Sequence, residues 1–199
     1  MRLYFIFHTK VAFAIIRNDE RKIIEKTAAK ERDRIKVSGE RLPKSLDTPV
    51  ASSPYFNVYL AAQVKSNDKG FLSKDVLVSN LIELRGDIHH LFPKDYLKKN
   101  GLERGMYNQI ANYVYMQSEI NIKVGNKPPE EYFSKILDEM ENQTNTLSGI
   151  SNMVELENNL SVNCIPKEII SMKIGNYEDF LTARRRMMAY KMREYYFSL

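Results

Sequence analysis

Residues 85–127 read RGDIHHLFPKDYLKKNGLERGMYNQIANYVYMQSEINIKVGNK, and the fold and chemistry of the chain turn on them. Two of its three histidines, His89 and His90, stand side by side there. Pro93 closes the turn Leu91-Phe92, and Asn112 and Asn121 lie nine positions apart. These residue types suit hydrolysis of a phosphodiester. The attacking water must lose a proton, the leaving oxygen must have its charge neutralised, and the phosphate must be held in line. A histidine near its ordinary pKa takes up a proton at neutral pH. A hard divalent cation held by few protein ligands stabilises the leaving oxygen. Neighbouring side chains on a strand point to opposite faces, so adjacent imidazoles serve one site only at a strand end. Pro93 sets that end, because it has no N–H to give to a ladder. The amide oxygens of Asn112 and Asn121 suit a Mg²⁺-type cation, and their NH₂ groups can orient a neighbouring loop.

Further along, the pattern widens. DIHHLFP (87–93) with YNQIANYVYMQSEINIKVGNKPP (107–129) resembles the His-Asn-His (HNH) nuclease domain of GmrSD-type restriction endonucleases, a family of bacterial phage-defence proteins. FLSKDVLVSNLIELRGD (71–87) upstream, and CIPKEII (164–170) with YEDFLTARRRMMAYKMREYY (177–196) downstream, extend the likeness over roughly residues 52–199. The resemblance implies a ββα-metal unit, two short strands and a helix gripping one metal. On that pattern His89 resembles the first metal ligand and His90 the general base. Asn112, on the second strand, resembles the bracing asparagine, and Asn121, opening the helix, the last ligand. The final position is often His; Asn there favours Mg²⁺ or Mn²⁺ over Zn²⁺. DNA is the implied substrate, and defence against foreign, base-modified DNA the implied role. The family couples this nuclease to an upstream ParB-related nucleotide-hydrolysing domain. No counterpart is legible here, so the chain is expected to be the C-terminal half of a longer or split protein. A separately encoded NTPase half is the expected partner, and cleavage by this chain alone is expected to ignore ATP and GTP.

The competing readings are plainer. An isolated His-His pair is usually a surface or satisfied core feature, and loop asparagines usually do turn chemistry. Asp87 either orients an imidazole or caps a turn after Gly86. Lys94, Lys98, Lys99 and Arg104, in the polar stretch after Pro93, are candidate phosphate contacts. So are Lys123 and the run Arg184-Arg185-Arg186, with a solvated side chain as the alternative at each.

Composition narrows the class. At 199 residues the chain can build one sizeable core. Its net charge of +5 and pI near 9.1 are compatible with a polyanionic partner. The single Cys164 excludes an internal disulfide and a thiolate zinc site. No Gly-rich phosphate loop is present. The opening MRLYFIFHTKVAFAII is apolar, but His8 and Lys10 interrupt it, no small-residue cleavage site follows Ile16, and it is too short to span a bilayer. A cytoplasmic protein with no membrane association is expected.

The rest of the chain predicts helices. Residues 18–37 carry both charge signs and suit an exposed helix. Residues 38–54, rich in Ser, Pro and Gly, suit a linker. The division is therefore 1–50, an apolar segment with a charged helix and linker, and 51–199, a helical nuclease domain whose core is 85–127. Ser53-Pro54 opens a helix with Phe56, Leu60 and Val64 facing inward. A second helix is expected over Lys74–Leu84, burying Leu77, Leu81 and Leu84 and stopped by Gly86. NYVYM (112–116) has the content of a short strand. A helix bearing Asn121 follows, and Pro128-Pro129-Glu130-Glu131 starts another with Tyr132, Phe133, Ile136, Leu137 and Met140 inside. VELENNL and a short segment from Pro166 to Met172 are expected to be helical. The last helix, 177–197, presents Leu181, Met188, Met192 and Tyr195 on one face. The fold class is mainly α with one small ββα unit, hence α+β. The function expected is metal-dependent cleavage of DNA. The alternatives are an inactive fragment that binds nucleic acid or a partner, and a nuclease acting on RNA by the same chemistry.

Overall fold

The structure, a computed structural model, describes residues 41–84, 88–144 and 146–199. The apolar opening segment, the charged helix of 18–37, Gly86 and Asp87 lie outside the described residues.

The order is α1 (Arg41–Ser45), α2 (Pro54–Lys65), α3 (Val78–Glu83), β1 (Ile88–His90), α4 (Lys94–Lys99), α5 (Arg104–Tyr107), β2 (Tyr113–Tyr115), α6 (Ser118–Val124), α7 (Pro129–Glu141), α8 (Met153–Val162) and α9 (Tyr177–Phe197). Three short 3₁₀ turns, Ile110–Asn112, Lys167–Ser171 and Ile174–Asn176, join them. The two strands form one antiparallel pair inside a helical shell. The chain is thus mainly helical with a two-stranded sheet, as the sequence predicts.

Among the described residues α9 is the longest element, and it organises the core. It packs on α1, α2 and the 110–112 turn. Phe180, Leu181, Met188 and Met192 are its buried apolar face, while Tyr195 is only half-buried. α2 begins at Pro54, whose missing N–H costs nothing in the first turn. Ser53 sits at its N-cap without bonding through its side chain. Phe56 and Leu60 face inward as expected, joined by Tyr59. α7 also starts on a proline, with Glu130 and Glu131 against its positive end. α8 has a bonded cap, since Asn152 Oδ1 accepts from Glu155 N at 2.9 Å.

Several expectations need correction. The linker does not extend to residue 54. Arg41–Ser45 is a helix, Leu46 is fully buried, and Thr48 O accepts from Ile110 N at 3.0 Å. The body therefore begins before residue 51. α3 starts at Val78, because Lys69 and Leu77 form an isolated bridge that keeps the preceding backbone extended. Leu84, expected inside, is 80% exposed. The short helix expected after Pro166 is present, as the 3₁₀ turn Lys167–Ser171.

Candidate active site

β1 pairs with β2 in the register Ile88↔Tyr115, His89↔Val114 and His90↔Tyr113. Aromatic and β-branched residues suit a half-buried strand, and β2 is buried along its whole length. α6 follows β2 after Met116 and Gln117, and α4, α5 and the 110–112 turn lie between β1 and β2. Gly125 at φ 62° ends α6 in a conformation that favours glycine.

Asn112 ends the 3₁₀ turn one residue before β2 instead of lying within the strand. It is fully buried. Its Oδ1 accepts from Phe92 N at 2.9 Å, and its Nδ2 donates to Phe92 O at 3.0 Å and to Tyr107 O at 3.3 Å. Its backbone carbonyl accepts from Leu91 N at 2.9 Å. The side chain thus extends the ladder past the end of β1 and fixes the turn that follows the histidines. Tyr132 adds a third tie, donating to Leu91 O at 3.2 Å. Phe92 is buried between Tyr177 and Phe180, at ring separations of 5.1 and 5.0 Å.

Behind this turn lies Arg184. Its guanidinium donates to Ala111 O and Tyr113 O, both at 2.8 Å, and to Asn163 O at 3.4 Å. The first two carbonyls flank Asn112. Arg184 is fully buried, and burial pushes its pKa down while Tyr59 and Cys164 oppose the shift. It cannot serve as a surface phosphate contact, which corrects the expectation for it. Arg185 is committed as well. It pairs with Asp47 at 2.7 Å and donates to Gln109 Oε1 at 3.1 Å, with its side chain 12% exposed. Within the run only Arg186 faces solvent. A three-residue basic run on a helix necessarily turns through most of its circumference, so one member points inward.

His90 is half-buried at the end of β1. Its Nε2 lies 3.1 Å from Asn108 Oδ1, and its ring meets Tyr113 edge-on at 5.0 Å. Burial lowers its pKa below the ordinary imidazole value, the bond to Asn108 raises it, and the charges of Lys94 and His89 lower it. The ring is accordingly neutral at pH 7, the state a general base requires. His89 is 9% exposed and lies opposite Val114. Asn121 is half-buried on α6 between the buried Ile120 and Val124. The structure brings His90 to Asn108 and Asn112 to the turn after the histidines. His89 lies in the middle of β1 and Asn121 on α6.

The basic stretch after Pro93 forms α4 and α5. Lys94 and Lys98 stand over the Tyr107 ring at 5.8 and 6.0 Å. Both are exposed, as are Lys99 and Arg104. Arg104 acts electrostatically on Tyr113, whose pKa burial raises. A positive rim therefore lies beside His90. Lys123, exposed on α6, donates to Thr146 O. Asn108, Tyr107 and Tyr113 escaped the sequence reading. The only signal for Asn108 was a third asparagine in the spacing YNQIAN.

Of the two candidate ligands, His89 in β1 carries an imidazole nitrogen and Asn121 in α6 an amide oxygen. Among the described residues no cluster of three or more His, Cys, Asp or Glu forms a metal cage. No family model, curated protein or solved structure matches the chain. Among the described residues no helix is long and apolar enough to cross a membrane.

Proposed function

We propose that the chain is a metal-dependent endonuclease of the HNH type that hydrolyses DNA. One observation carries this function. Asn112 holds the backbone of Phe92 from both sides, and so fixes the turn next to a neutral, half-buried histidine at a strand end. His90 takes a proton from water as the oxygen attacks phosphorus, and the bond to the 3′-oxygen breaks. His89 and Asn121 would hold a Mg²⁺ or Mn²⁺ ion, which would supply positive charge for the leaving oxygen. Lys94, Lys98 and Arg104 attract the phosphate backbone from the rim, a contribution that weakens with salt. Lys99 and Arg186 are exposed and available for the same contact. The biological role we propose is defence against foreign DNA, with an NTPase partner supplying target selection.

The test is nicking of supercoiled plasmid by the full chain. Cleavage should stop in EDTA and return with excess Mg²⁺ or Mn²⁺. Cleavage that continues unchanged in EDTA contradicts the function.

A further inference from the structure

We infer that Asn108 is a positioning residue that locks His90 in one tautomer and makes Nδ1 the atom that accepts the proton. The inference rests on the nuclease function proposed above for its consequence in catalysis, but its structural content stands alone.

The geometry is simple. Asn108 Oδ1 lies 3.1 Å from His90 Nε2. A carboxamide oxygen only accepts. The bond to that oxygen forms only in the tautomer that carries its hydrogen on Nε2, which leaves the lone pair on Nδ1. Which ring nitrogen is protonated is set by the bond the other makes. The remaining groups around the ring do not compete for Nε2. The Tyr113 ring meets it edge-on at 5.0 Å, and Lys94 and His89 act through their charge. Lys94 is drawn toward Tyr107, and Arg104 acts on Tyr113.

The backbone makes Asn108 stiff. It caps α5, donating to Arg104 O at 3.1 Å. The next turn, 110–112, ends in Asn112. One short segment therefore supplies two braces. Asn112 holds the backbone of the turn and Asn108 holds the imidazole. Without the second brace the ring samples both tautomers and rotates about χ2, so the base points at water only part of the time.

The experiment uses the full chain labelled with ¹⁵N in the imidazoles, at a pH where the rings are neutral. The three histidines are assigned by single substitution. Wild-type His90 should show a protonated Nε2 and an unprotonated Nδ1. Asn108→Leu keeps the size and removes the acceptor. It should move both nitrogen signals toward the averaged values of mixed tautomers. It should also lower kcat about 10–100-fold, the usual effect of losing an orienting partner, with little change in KM. Asn108→Asp keeps an acceptor oxygen and should restore both the Nε2–H signature and most of the rate. A wild-type His90 protonated at Nδ1, or an Asn108→Leu variant with the wild-type tautomer, overturns the inference. A wild-type chain that shows the expected tautomer and its loss in Asn108→Leu, yet never cuts DNA, supports Asn108 as the brace and counts against the nuclease function alone.

Discussion

Asn112 has no charge and no exposed surface, yet its side chain makes three hydrogen bonds to backbone groups more distant in sequence. A neutral residue is buried there because every bond it makes replaces one the backbone would otherwise lose. Unpaired buried polar groups cost about 1–3 kcal/mol each. Asn112→Ala strands the N–H and C=O of Phe92, so urea unfolding should show a loss of at least about 1–3 kcal/mol. Cleavage should fall further than the loss of folded protein accounts for, because the turn beside His90 loosens. Stability and rate both equal to wild type would contradict the bracing role. The importance of Asn112 was legible from its place ahead of a β-rich stretch, but its partners were not. Sequence spacing does not reveal that Phe92, twenty residues earlier, provides two of the three. Asn108 was less legible still, since an asparagine in a loop has turn chemistry as its ordinary explanation.

Among the elements, the strand YVY and the helices opened by Pro54 and Pro129 were readable because their signals are local. The boundaries of α3 were not, because the bridge between Lys69 and Leu77 is a contact across a turn. Arg184 shows the same limit more sharply. It opens a run of three arginines, so it reads as a solvated charge, and only the packing of α9 on the 110–112 turn buries it. There it gives hydrogen bonds to Ala111 O and Tyr113 O that no apolar residue can supply. Arg184→Met should therefore cost about 1–3 kcal/mol for each carbonyl left unpaired and should reduce cleavage through β2. Arg186→Ala, two positions along on the exposed side, should stay within about 0.5 kcal/mol of wild type. Chemical denaturation of the two variants side by side is the check, and equal midpoints would show that Arg184 does not brace the site.

At the level of the whole molecule, the mainly helical architecture follows from periodicity, whereas the boundary of the folded body does not. Ser, Pro and Gly before residue 54 suggest a linker, but Leu46 is fully buried and Asp47 pairs with Arg185. A chain starting at residue 51 loses Leu46 from the core, at about 2–5 kcal/mol for truncations of that size. It also loses the bond from Ile110 N to Thr48 O, next to the 3₁₀ turn that ends in Asn112. Thermal unfolding should place it clearly below a chain starting at residue 41. Coincident melting would mean that residues 41–50 contribute nothing to the fold.

The proposed function makes His90 the group that activates water. The most direct measurement is the single-turnover rate of plasmid nicking in Mg²⁺ by wild type and His90→Ala, with DNA binding followed in parallel. Loss of a general base should slow cleavage about 10²–10⁴-fold while affinity stays within a few-fold. A His90→Ala chain that nicks DNA as fast as wild type would contradict the account.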